Sequence, residues 1–157
     1  MWRRLHSPVV EFRARDVLFL MLHNKLPVPE RLFRIGLRPD RYCLHCSAAV
    51  IADVKHFFCC CKKIGRVWSW AKNQVMKYSG QHQQLRDWDL LNLFLPHSDF
   101  EQEIVWLVSS YVLYVWDNVF VRGAEVKLEQ FFGFLTYKYR RHQSVSKVQM
   151  KHLDGIS

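Results

Sequence analysis

At 157 residues, half of them hydrophobic and 15% aromatic, the chain is long enough for a packed domain and too apolar for the disordered class. Its formal charge of +9 and pI near 9.5 point to an acidic partner, nucleic acid before anionic membrane. The start, Met1-Trp2-Arg3-Arg4 followed by His6, Ser7, Pro8 and Glu11, does not read as a secretory signal, and five cysteines in that setting imply reduced thiols or metal ligation rather than disulfides.

Residues 10–24 predict a helix with Val10, Ala14, Val17 and Met21 on one face and Phe12 and Phe19 opposite, as in a helix sandwiched between layers. Pro27 and Pro29 end it. Pro29-Glu30 opens a short helix through Ile35, with Gly36 closing it, and a loop with Pro39-Asp40 leads into the cysteines. From Lys62 to Tyr78 a basic helix turns Ile64, Val67, Trp68, Ala71 and Val75 toward a core, and Ser79-Gly80 stops it. Residues 81–99 read as a linker-like segment around the apolar run Leu90 to Leu95. Ile104, Val108, Tyr111, Val115 and Val119 then form a long helical stripe. The stretch Ile104 to Val121 approaches the length of a membrane span, but Ser109, Ser110, Asp117 and Asn118 within it favour a buried helix. Gly123 separates it from a last helix in which Leu128, Phe131, Phe132, Leu135 and Tyr139 share a face, and the tail after Arg141 is expected to fray. The fold class expected is all-α, a helical domain with one small zinc-knuckle loop. It divides into a zinc-binding domain over 1–80, the linker-like 81–99, a helical hairpin extension over 100–142 and a flexible tail over 143–157.

The loop carries the pattern C-x2-C-x9-H-x4-C, formed by Cys43, Cys46, His56 and Cys61. Two cysteines separated by two residues can turn both sulfurs onto one ion, and thiolates with one imidazole suit tetrahedral zinc. Four protein ligands leave no position for water, so such a site is structural, not hydrolytic. The bland alternative makes the cysteines core fillers and places His56 among Phe57 and Phe58; four ligand-type residues so close together favour the metal. Within Cys59-Cys60-Cys61 the choice is open on spacing. A continuous helix would put His56 and Cys60 on one face, whereas Cys61 gives the four-residue spacer of a knuckle. Cys61 is preferred, with Cys59 and Cys60 as packing residues.

Leu20-Met21-Leu22-His23-Asn24-Lys25-Leu26-Pro27, Glu30-Arg31-Leu32, Ile35-Gly36-Leu37, the Cys43/Cys46 pair, His56-Phe57-Phe58, Cys61 and Val67-Trp68 together resemble the zinc-binding domain that follows the polymerase in non-LTR (LINE-type) retrotransposon reverse transcriptases. The resemblance runs over residues 16–70. Trp68, seven positions after Cys61, falls where that family places a tryptophan after its last ligand. The sequence departs from the family at Ala52, where an acidic residue is usual, with Asp53 beside it, and at Lys62 in place of a proline.

The charge is unevenly spread. Residues 1–41 hold nine basic groups against four acidic ones, residues 55–77 hold six and no acid, and residues 78–126 hold two against seven. No two aspartates are adjacent and no glycine-rich phosphate loop occurs, so catalysis by this chain is not expected. His23, a lone histidine at a helix end, reads as a capping or packing residue. The resemblance implies a non-catalytic module that holds template RNA or target DNA, beside a reverse transcriptase polymerase domain, in an intracellular, nuclear setting and without a membrane. Candidate contacts are Lys55, Lys62, Lys63, Arg66 and Lys72 near the knuckle and Lys127, Tyr137, Lys138 and Arg141 on the last helix. The alternative is a scaffold that docks on a polymerase, with zinc purely structural.

Overall fold

Apolar periodicity fixes where each helix faces, and the computed structural model shows which of those faces meet. It describes residues 2–46, 49–79, 86–94, 99–124 and 126–145, with side chains through Arg141. The tail beyond Val145 lies outside them. Helices α1 (Trp2–Leu5), α2 (Phe12–Leu22), α3 (Pro29–Arg34), α4 (Gly65–Ser79), α5 (Asp87–Leu91), α6 (Glu101–Val115) and α7 (Leu128–Val145) build the fold. Among the described residues the sole β-pairing is an isolated antiparallel bridge between Tyr42 and Ile51.

Helix α2 buries Ala14, Val17, Leu18 and Met21, and Val10 joins them from the preceding turn. It ends before the prolines are reached. Asn24 takes a left-handed conformation (φ 51°), Lys25 N–H donates to Leu20 O at 2.7 Å and Asn24 N–H to Met21 O at 3.0 Å. This is a Schellman closure with asparagine where glycine is usual. The sandwich expected for α2 is not formed among the described residues: Phe12 is 74% exposed and Phe19 45%, because the helix packs closely on α6 and its opposite face meets only the ring of Trp2 from α1. Gly36 closes the α3 turn at φ 75°, a conformation that a side chain would strain.

Helix α6 is the axis of the molecule. The sequence suggests a stripe, yet every residue from Ile104 to Val115 is buried, since α2 and α4 pack against it and α5 and α7 add further cover. By length and composition Glu101–Val121 could cross a membrane; here most of it lies inside the protein. The buried hydroxyl of Ser109 donates to Trp106 O at 3.0 Å, which removes the cost of placing it there. Past Val115 the helix widens into a π-helical turn, Trp116–Val121.

Within the stretch read as linker-like, α5 and its C-terminal turn place Leu90, Leu91 and Leu93 in the core, while residues 80–85 and 95–98 fall outside the described set. One hydrophobic cluster runs from Leu5 through Phe58, Trp68 and Tyr111 to Leu135. Ion pairs stitch its edges: Arg4 to Glu101 at 3.0 Å, Arg13 to Asp117 at 2.7 Å and Lys138 to Glu11 at 2.9 Å.

Candidate metal centre

The knuckle is made by two short backbone segments with few apolar contacts of their own. Cys43 N–H donates to Val50 O and Ala52 N–H to Arg41 O, each at 2.9 Å, which pins the loop on both sides of the Tyr42–Ile51 bridge. His45 N–H lies 3.4 Å from the Cys43 sulfur, the turn through which Cys43 and Cys46 come to face the same point. A new helical turn then begins. Asp53 Oδ1 accepts His56 N–H at 2.6 Å, a side-chain cap on the turn's first free donors. The acid the family places at position 52 is absent, and its neighbour supplies the capping carboxylate.

From His56 to Cys60 the backbone is a π-helical turn, closed by Cys61 N–H to His56 O at 2.8 Å. This resolves the choice among the three cysteines. In an α-helix the residue four positions on returns to the histidine's face; in a π turn it is the residue five positions on, so Cys61 replaces Cys60. Single π turns of this kind are frequent at functional sites.

The ligand atoms of Cys43, Cys46, His56 and Cys61 all lie within 4.8 Å of one another. The Cys43 and Cys61 sulfurs are 3.8 Å apart, and Cys46 Sγ is 3.6 Å from His56 Nε2. A tetrahedron with zinc–sulfur bonds of about 2.3 Å and a zinc–nitrogen bond of about 2.05 Å has edges of about 3.8 Å for sulfur–sulfur and about 3.6 Å for sulfur–nitrogen. Both observed edges match. The donor set and its spacing fit zinc, held by four protein ligands in a structural role.

Electrostatics prepare the site unequally. Burial lowers the His56 pKa, although Asp53 opposes it, so the imidazole is neutral and free to ligate at pH 7. The backbone N–H of Lys62 is the main reason that the Cys46 thiol is lowered. Burial pushes the Cys61 thiol up to about 12, with the Cys43 and Cys46 sulfurs adding to it; a bound cation must displace that proton. Cys59 is buried in the core cluster and its thiol is raised strongly, mainly by burial, as expected of an inert packing residue. Cys60 is exposed, which corrects its assignment as packing: the π turn swings it outward.

The centre is tied to the axis of the fold. Tyr111, fully buried on α6, donates its hydroxyl to Phe58 O at 2.5 Å, satisfying a carbonyl in the middle of the π turn, and its ring lies 5.0 Å from that of Trp68. Neither Tyr111 nor the π turn was foreseeable from local sequence. Asp53 carried a weak signal, an acid three residues before a helical histidine.

The expected nucleic-acid contacts separate by position. Lys55, Lys62, Arg66, Lys127, Tyr137 and Arg141 are exposed, and Lys63 is half-buried. Lys72 is half-buried and paired with Asp87. Lys138 does not lie on the outer face of α7. Its side chain is 5% exposed, held by Glu11 at 2.9 Å and lying 5.4 Å from the Phe134 ring, because seven residues after Phe131 and three after Leu135 it falls on the buried face of α7.

Fold and site together define a helix-framed structural zinc knuckle with a Cys3His ligand set. Residues 1–68, less than half of the chain, match the family model described as zinc-binding in reverse transcriptase, which supports a zinc-binding, reverse-transcriptase-associated domain over that part. Neither the curated proteins nor the solved structures compared with the chain gave a match.

Proposed function

We propose that the protein is a non-catalytic module that binds nucleic acid, template RNA or target DNA, through cations held in place by the zinc knuckle. The observation that supports this most directly is the continuity of ligand and charge. Cys61 is followed at once by Lys62 and Lys63, and Arg66 lies in the first turn of α4, so the metal that fixes Cys61 also fixes the start of a basic segment without acids between residues 55 and 77. Phosphate contacts of this kind confer affinity without a sequence code.

The test is binding of a labelled single-stranded oligonucleotide by the zinc-loaded chain at 50 and 200 mM salt. With about five phosphates neutralised, the log-log slope is expected near −3 to −5. Replacing Lys62, Lys63 and Arg66 together by alanine should flatten it by about 2 to 3 units. A slope near zero would overturn the reading. It would favour the alternative, docking on a polymerase domain, which draws support from the apolar side chains exposed around the knuckle, Leu37 at 74% and Leu44 at 77%.

A further inference from the structure

On the side of α2 turned away from α6, Trp2 of α1 and Phe19 and His23 at the end of α2 converge on one another. Phe19 and His23 have ring centroids 4.4 Å apart, and Trp2 lies 6.2 Å from Phe19 and 6.1 Å from His23. All three are open to solvent, Trp2 at 49%. His23 also lines a shallow cavity of about 530 Å³ whose other walls are Asn24, Lys25, Arg31, Arg34 and Ile35. No carboxylate is among the residues lining it, although Arg34 spends part of its charge on Glu30 at 2.8 Å. The Schellman closure at Asn24 holds this arrangement, since it turns the chain sharply between His23, the last of the three rings, and Lys25, the first of the cations.

An aromatic cluster beside a cationic hollow is matched by one polymer chemistry: flat bases spaced along a phosphate chain. A protein surface would leave Lys25 and Arg31 opposite nothing in particular, and a folded duplex would keep its base faces stacked inside. We infer that the Trp2–Phe19–His23 cluster and the adjoining Lys25/Arg31/Arg34 cavity form a subsite for single-stranded nucleic acid. An unstacked base lies on the rings of Trp2 or Phe19, and the neighbouring phosphate sits in the cavity. The inference rests on the nucleic-acid reading above and adds to it a second contact surface that reads base faces, where the knuckle reads phosphates.

The experiment compares two oligonucleotides of about twelve nucleotides, one carrying bases and one abasic with the same phosphates, bound by the full zinc-loaded chain. The parent should prefer the base-bearing strand by about tenfold, as expected for stacking of one or two bases. The double variant Trp2→Ala/Phe19→Ala should bind both strands equally while keeping its zinc content and helical circular dichroism, and Phe19→Tyr should retain the preference. Lys25→Ala/Arg31→Ala should lower the salt slope on either strand by about 1.4 units. Equal binding of the two strands by the parent, or a preference that survives in Trp2→Ala/Phe19→Ala, would overturn the subsite and leave the aromatic cluster to a protein partner. That result is distinct from failure of the broader reading, in which neither strand binds and the salt slope vanishes.

Discussion

Three adjacent cysteines end the knuckle, and their surroundings assign each a different part. Cys61 faces the other ligands, Cys60 points to solvent and Cys59 is buried against the core. Cys61→Ser should therefore abolish stoichiometric zinc, whereas Cys60→Ser should keep it; metal analysis of the purified variants decides this, and the opposite result would mean that the turn is α-helical when loaded. Asp53→Ala removes the carboxylate that accepts His56 N–H and should cost about 1 kcal/mol together with some zinc affinity, with Asp53→Asn largely spared, as read by denaturation and competition with a chelator. Lys138 behaves as a core residue. Burial lowers its pKa from the ordinary 10.5, Glu11 opposing, so its charged form is disfavoured in the folded state. A lysine with a lowered folded pKa has its stabilising contribution above the unfolded value and loses it as pH falls through the folded one. Lys138→Met is accordingly expected to be neutral or up to about 1 kcal/mol more stable than the parent at pH 7, with the gap narrowing as pH rises toward 10.5. Glu11 tolerates the loss because its side chain is 37% exposed. The same variant should leave the salt slope of nucleic-acid binding unchanged.

At the level of elements, the sequence revealed what repeats and concealed what depends on contact. The apolar spacing located α2, α4, α6 and α7 because a helix with one core face must show that face every three or four residues. It could not show that α6 is covered on all sides, since Ser109 and Ser110, off the apolar stripe, read as ordinary polar positions until α2 and α4 are in place around them. Ligand spacing singled out Cys43, Cys46 and His56 and left the fourth ligand between Cys60 and Cys61, because the π turn that selects Cys61 leaves no mark in sequence: a five-residue turn has no periodicity of its own. The link between Tyr111 and Phe58 joins positions 53 residues apart and was invisible for that reason. It also bears on stability. Tyr111→Phe would leave the buried carbonyl of Phe58 without that donor, at a cost of about 1–3 kcal/mol. The loss should be felt at the knuckle, as faster amide exchange from His56 to Cys61, more than at the far end of α6.

For the whole molecule, the extent of the family match and the extent of the core do not coincide. The match ends at residue 68, in the first turn of α4, whereas the faces of α2 and α4 are covered by α6 from the other half of the chain. Arg4 and Arg13 are likewise paired with Glu101 and Asp117, so the positive N-terminal segment is partly neutralised by acids that the sequence places far away. A fragment comprising residues 1–79 would keep all four ligands and expose Val17, Leu18, Met21, Val67, Ala71 and Val75 to water. Full exposure of one such aliphatic side chain costs about 1.5–3 kcal/mol, and domains of this size have only about 5–15 kcal/mol of stability in total. The fragment should therefore bind zinc without a cooperative thermal transition and should aggregate. The 157-residue chain stripped of zinc should behave in the opposite way, because the contacts of α6 with α2 and α4 do not pass through the metal. Hydrogen exchange with and without chelator distinguishes the two contributions: protection should fall first over residues 40–62, while the amides of α6 stay protected. Uniform loss of protection on chelation would show instead that zinc organises the whole fold, and the fragment would then be the better representative of the folding unit.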